Sequence, residues 1–378
     1  MLRPSLIAAL CATLAVPGLQ AAERFDTEKG TLTVREITAA LENPWSLAFL
    51  PGGDQMLVTE RPGRLRVLSL DGTLSEPLAG TPEVHAQRQG GLLDVQLSPD
   101  FEQDRMVYLT YAEAGENGNS GTAAGRGRLS DDLSRLENFE VIFRQQPKLS
   151  DGLHYGSRLA FDEGYLFIAL GDNNQRATAQ ELDKHQGSII RIRPDGSVPD
   201  DNPFVGRDDA LAEIWSYGHR NQQGAAINPW TGALWVHDHG PRGGDEINLP
   251  EMGKNYGWPL ATHGINYSGQ PIPEAKGQTV DGAEPPHHVW MQSPAVSGMA
   301  FYDAERFEGW QRNLFVGALA DRSLIRLELD GDAIIHEERL LKPLGKRVRD
   351  VRLGPDGFLY VVTDDASGQV LQLGLEQQ

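Results

Sequence analysis

The sequence predicts an all-β fold, a six-bladed β-propeller of four-stranded antiparallel sheets. Three observations lead there. Short apolar runs alternate with DG, PG, PDG and GG turns, while stretches of 3.6-residue periodicity are nearly absent. Glycine (42) and proline (23) are frequent enough to punctuate many short strands among 378 residues. One pattern also recurs six times: a short apolar strand, a turn, then a second strand ending in a polar residue.

The copies begin at Pro44 (PWSLAFLPGGDQMLVTE), Gly90 (GGLLDVQLSPDF), Gly156 (GSRLAFDEGYLFIALGDN), Gln223 (QGAAINPWTGALWVHDHG), Val296 (VSGMAFYDAERF) and Val348 (VRDVRLGPDGFLYVVTDD). Their starts lie roughly 45 to 75 residues apart, close to propeller blade lengths. The strand from Thr31 to Leu41 precedes the first copy and is expected to complete the last blade, closing the ring. Closure hides sheet edges, which suits a monomer or a homodimer. The surplus length falls between blades, at Asn173 to Lys184, Pro199 to Asp209 and Gly264 to Ser293, where loops build sites.

Residues 1–22 read as a secretory signal peptide. Arg3 opens it, Leu6 to Val16 is apolar, and Ala21 and Ala22 precede Glu23. The run is too short for a membrane span. The expectation is a periplasmic protein with one catalytic domain over residues 23–378. Cys11, the only cysteine, lies inside the signal, so the mature chain has no thiolate chemistry and no Cys-based metal site. A formal net charge of −19 argues against nucleic acid and anionic membranes, and makes divalent cations plausible ligands. There is no GxSxG elbow, no GxGxxG and no GxxxxGK[ST] loop, which leaves hydrolase, nicotinamide and ATP chemistry without support.

Several residues carry chemistry at equivalent places. His154 stands just before the third copy, with a free pKa suited to a general base; the alternative is a loop histidine bonded to backbone. Arg220 and Asn221, in GHRN, stand just before the fourth copy, where a planar guanidinium suits carboxylates or quinone oxygens, or else straps two loops. Arg347 and Arg349 fall on one face of a strand and, with Lys346, read as an anion site or as a solvated edge. Gly240 and Pro241 offer backbone carbonyls to a hard cation, with Asp245 and Glu246 close behind. His237 and His239 share a strand face but lack a third zinc ligand.

The ordered set QGGLLDVQLSPDF, HYGSRLAF, GDN, GHRNQQG, HGPRGGDEIN, NYGWP and RVRDVRLGPDG resembles the soluble quinoprotein sugar dehydrogenases, and within them the periplasmic aldose sugar dehydrogenase branch. The resemblance implies a six-bladed propeller that oxidises aldoses to lactones with pyrroloquinoline quinone (PQQ) and Ca2+. It implies His154 as the base that takes the anomeric proton, Arg220 against the quinone carbonyls and Asn221 beside it. It further implies Gln89 on the sugar, the Gly240 and Pro241 carbonyls on calcium, and Arg347 with Arg349 on the quinone carboxylates. Glu246 and Tyr256 resemble a second calcium site. Two positions depart from the glucose-selective pattern: Leu153 stands where an aspartate holds the sugar, and Ala320 where a lysine reaches the cofactor, with Arg322 near enough to compensate. The partners implied are an aldose substrate and an electron acceptor that the sequence does not name. The alternatives are a carbohydrate-binding propeller without redox chemistry and a calcium-dependent propeller lactonase.

Overall fold

A computed structural model describes residues 22–376. The expected signal segment, including Cys11, lies outside the described residues except for Ala22. Six antiparallel sheets follow one another around a ring. The second to fifth blades have four strands each; the first has three, extended by an isolated bridge between Leu68 and Leu74. The sixth has five, because the chain's first two strands join it.

The closing expectation holds in detail. Strand Gly30–Leu41 pairs antiparallel with the last strand, Gly368–Glu376, from Thr31 opposite Glu376 to Leu41 opposite Gly368. Leu32, Val34 and Leu41 are buried on one side of this seam, and Leu371, Leu373 and Leu375 on the other. The hairpin that introduces the closing strand is pinned to the fifth blade. Glu28 reaches the fully buried Arg326 at 3.0 Å, and Arg326 also binds Glu338 at 2.8 Å and Glu328 at 3.3 Å. Aromatic edges knit blade to blade: Phe49 meets Tyr360 across the first and sixth blades at 4.7 Å, and Trp235 meets Phe301 across the fourth and fifth at 5.5 Å.

The innermost strands are Pro44–Phe49, Leu92–Leu97, Gly156–Asp162, Gln222–Ile227, Val296–Tyr302 and Val348–Leu353. These begin within two residues of the six sequence copies. Each touches its neighbours around the ring. Each also slips register against its partner within its first few residues, between Pro44 and Ser46, Leu92 and Val95, Gly156 and Leu159, Gln222 and Gly224, Val296 and Met299, and Val348 and Asp350. Six bulges at one end bend the strand starts and re-aim their side chains. At mid-strand the axis is filled by charge. Arg158 binds Asp94 at 3.1 Å and Asp350 at 2.8 Å, and Arg352 binds the same two at 2.8 and 2.9 Å. Ser46 donates to Asp94 at 2.6 Å. Two cations and two anions neutralise one another in a closed knot with almost no solvent exposure at Arg158, Asp94 and Asp350.

Candidate active site

The bulged ends of the strands surround a cavity of about 260 Å³. Its lining draws Trp45 and Arg61 from the first blade, Gln89 and Leu93 from the second, His154 from the third, Arg220, Asn221 and His239 from the fourth, and Arg347, Arg349 and Asp364 from the sixth. The six residues expected to serve substrate and quinone therefore meet here, Gln89, His154, Arg220, Asn221, Arg347 and Arg349, joined by His239.

His154 sits on strained backbone. Within residues 152–157, Gly152, His154, Gly156 and Ser157 all have positive φ, and His154 itself is at +49°. Two contacts hold it there. Its N–H donates to Gln89 Oε1 at 2.9 Å, and its Nδ1 lies 2.7 Å from Asp172 Oδ1. Asp172 is reached because Gly171 lacks a side chain: a Cβ there would lie 1.9 Å from His154 O. Trp258 Nε1 donates to the other oxygen of Asp172 at 2.8 Å, and the Asn174 N–H to Oδ1 at 2.7 Å. The carboxylate thus fixes the Nδ1–H tautomer and turns Nε2 away from itself. Nε2 lies 3.4 Å from Arg220 Nη2. Burial, then the Arg220 charge, push the His154 pKa down, and Asp172 opposes both. Burial would raise Asp172, but its bonds to His154 and the Arg220 charge outweigh it, and it stays below the usual carboxylate range.

Arg220 is aimed by its surroundings. Its N–H donates to Asp238 Oδ2 at 2.6 Å, Nη1 donates to His239 O at 3.0 Å, and its guanidinium lies 5.4 Å from the Trp258 ring centroid. Asn221 spends its side-chain oxygen on the Gly156 N–H at 3.1 Å, so it ties the third blade to the fourth. Arg347 Nε and Arg349 Nη2 share Asp364 Oδ2 at 2.9 and 3.3 Å. Against its burial, the two guanidiniums hold that carboxyl at about 2. Arg349 Nη1 also donates to Gln223 at 3.0 Å, while Arg349 Nε is buried with no partner among the described residues. Four arginines against one carboxylate make the cavity basic in an acidic chain.

The cation-binding expectations map to two places. Gly240 and Pro241 are buried directly after the cavity residue His239. The Gly240 N–H donates to Asp245 Oδ1 at 2.9 Å, and no hydrogen bond to either the Gly240 or the Pro241 carbonyl is found among the described residues. A Cβ at Gly240 would meet Gly243 O at 2.2 Å, so the turn requires glycine. Glu246 and Tyr256 line a separate pocket of about 20 Å³, together with Thr262 and His263. Burial and the neighbouring Asp238 raise Glu246 to about 8. His237 and His239 form no zinc site: among the described residues no cluster of three His, Cys, Asp or Glu can hold a metal, and His239 Nε2 is taken by Val296 O. Arg322 does not compensate for Ala320. It is directed to Gly345 O at 3.4 Å and lines no part of the cavity, and Lys346 faces a different pocket from Arg347 and Arg349.

Residues 41–372 match the family model "Glucose / Sorbosone dehydrogenase". The chain belongs to this family. As a member of it, the protein is a sugar-oxidising oxidoreductase. It is similar to "Aldose sugar dehydrogenase YliI" of Escherichia coli, at 57% identity over 91% of this chain and 93% of that one. A crystal structure of a glucose dehydrogenase is 62% identical, with a TM-score of 0.90, covering 91% of this chain and all of the other. The PQQ-bound aldose sugar dehydrogenase of Streptomyces coelicolor is 28% identical, with a TM-score of 0.74 over 91% of this chain and 98% of that one.

Three residues of this dehydrogenase escaped sequence reasoning, Asp172, Asp364 and Arg61, and Trp258 entered only as part of the NYGWP turn. GDN marks Asp172 as a turn after the third copy's second strand, and that turn is the one available signal. Asp364 likewise follows the second strand of the sixth copy, at the corresponding place in its blade.

Proposed function

We propose that this protein is a periplasmic quinoprotein that oxidises the anomeric carbon of aldoses to lactones, with PQQ in the basic cavity and calcium beside it. The observation that carries the reading is the meeting of a carboxylate-oriented histidine, its pKa pushed down by burial, with four arginines in one cavity. PQQ is a tricarboxylate, and the donor set suits it: Arg347 and Arg349 for carboxylates, Arg220 for the quinone oxygens, and the free Arg349 Nε as an unspent buried donor. The Gly240 and Pro241 carbonyls, which accept no hydrogen bond among the described residues, suit a hard cation, and Glu246 with Tyr256 suit a second one.

When bound, the quinone supplies a hydride-accepting carbon and calcium polarises it. The chain's own residues do the rest. His154 Nε2 takes the proton of the anomeric hydroxyl as the hydride leaves that carbon, so two electrons and two hydrogens depart and a lactone remains. Asp172 holds the proton on Nδ1 and steadies the imidazolium that forms. Burial, and then the Arg220 charge, disfavour the imidazolium beforehand. Gln89 fixes the His154 backbone and presents its amide nitrogen, which has no partner among the described residues, toward the substrate.

Purified protein reconstituted with PQQ and calcium should reduce a dye when given aldoses; silence across a broad sugar panel would overturn the reading. His154→Ala should lose about 10²- to 10⁴-fold in kcat yet bind PQQ normally by absorbance titration. Recovery of the native protein in the osmotic-shock fraction tests the compartment.

A further inference from the structure

Tyr267 is the most exposed large hydrophobic residue among those described, at 74%, and it lines the same cavity as His154, which is 8% exposed. A single exposed aromatic is ordinary on a protein surface. Three features set this one apart. It stands at the solvent rim of a cavity whose reacting base lies at depth. It is rigidly mounted: Arg242 and Ile265 exchange backbone hydrogen bonds at 2.9 and 3.2 Å, and the following turn is closed by Gly269 N–H to Asn266 O and Asn266 N–H to Gln270 O, both 2.8 Å. Asn266 is in turn gripped by Arg176 Nη1 at 3.1 Å, and Arg176 is braced by Glu274. The loop that carries Tyr267 is thus tied down on both sides of it, at one of them to Arg242, which follows Gly240 and Pro241.

The size of the cavity adds the last step. About 260 Å³ is below the range, roughly 300 Å³ upward, of pockets that enclose drug-sized ligands. Cofactor and sugar together cannot be enclosed in it, so part of the substrate stays outside. The substrate then has its reacting carbon at His154 and the remainder at the rim, where a ring lying flat on an aromatic face buries its C–H surface.

We propose that Tyr267 is a specificity-determining residue that stacks against the non-reacting ring of a reducing disaccharide, so that the enzyme takes oligomeric aldoses by a contact that monosaccharides do not make. This rests on the aldose-oxidising reading above. Binding energy gained that far from the reacting carbon acts on ground state and transition state alike, and so appears in KM.

The test compares glucose with maltose in the PQQ- and calcium-loaded enzyme. Tyr267→Ala should lower kcat/KM for maltose about three- to tenfold through KM, and change glucose less than about twofold. Tyr267→Phe should behave as the native protein, since the ring and not the hydroxyl makes the contact. PQQ affinity, read by absorbance, should be equal in all three, which shows that the loop is intact. Equal losses on both sugars, no loss on either, a Phe variant that falls with the Ala variant, or a native enzyme that oxidises glucose but not maltose would each overturn the assignment. A native enzyme silent on every sugar would instead sink the aldose reading itself.

Discussion

His154 combines a low proton affinity with a fixed direction, and both are measurable. Its pKa is depressed by burial and by Arg220, against the pull of Asp172. The proposed base therefore holds a proton less readily than a free histidine, and kcat/KM should fall on the acid side only below the ordinary histidine value of about 6.5. Arg220→Gln removes a positive charge 3.4 Å from Nε2, so the acid limb should move up. Asp172→Asn removes the opposing charge, so the limb should move down, with kcat lower by about 10²-fold or more because the tautomer is no longer fixed. Three pH–rate profiles check this; a limb that stays in place in both variants would show that another group titrates. At this scale the sequence declares the chemistry of single side chains and conceals their pairing. His154 and Arg220 are visible because each precedes the first strand of a copy. Asp172 is not, because its role depends on Gly171 letting two backbone segments touch, which no period or motif encodes. Arg61 and Asp364 are hidden for a related reason: each directly follows the second strand of its blade, and only the closed ring turns that place toward the cavity.

The elements that matter most are the closing strand and the bulged strand starts. Without Gly30–Leu41, the last strand would expose Leu371, Leu373 and Leu375, and Leu32, Val34, Ile37 and Leu41 would be lost from the core. Each large apolar side chain is worth about 1.5–3 kcal/mol on burial, so a chain lacking residues 22–41 should melt at least about 10 °C lower, as calorimetry would show. An unchanged midpoint would mean that the ring closes by other contacts. Strand Leu234–Asp238 sets the buried Asp238 directly opposite the half-buried Glu246 on its neighbour. Like charges so placed are destabilising, and a cation relieves them. Calcium should therefore raise the melting temperature, and Glu246→Gln should shrink that increment; equal increments would remove Glu246 from the ligand set. Strand periodicity was legible because apolar runs and turn residues are local. The six register slips were not, since a bulge is a relation between two strands, and neither was the long first hairpin that gives the sixth blade its fifth strand.

Across the whole molecule, a net charge of −19 surrounds a cavity lined by four arginines and one aspartate. The far field repels a polyanion while the near field attracts it. The Debye length shrinks from about 30 Å at 0.01 M to about 8 Å at 0.15 M salt, which screens the outer acids before the cavity's own charges. The association rate of PQQ should rise over that interval, the reverse of ordinary steering by opposite charges, and stopped-flow absorbance would show it; a monotonic fall would mean that the local field dominates at all distances. The axial knot of Arg158, Asp94, Arg352 and Asp350 bears on traffic as well as on stability. Trp45, a cavity residue, rests 4.1 Å from the Arg158 guanidinium, and the groove of about 1150 Å³ at the opposite mouth shares no lining residue with the cavity. The propeller is thus a blind well and not a tunnel. Whatever lies at the bottom must arrive first and leave last: a bound sugar lids its own cofactor, and every product must go out by the door through which its substrate came in.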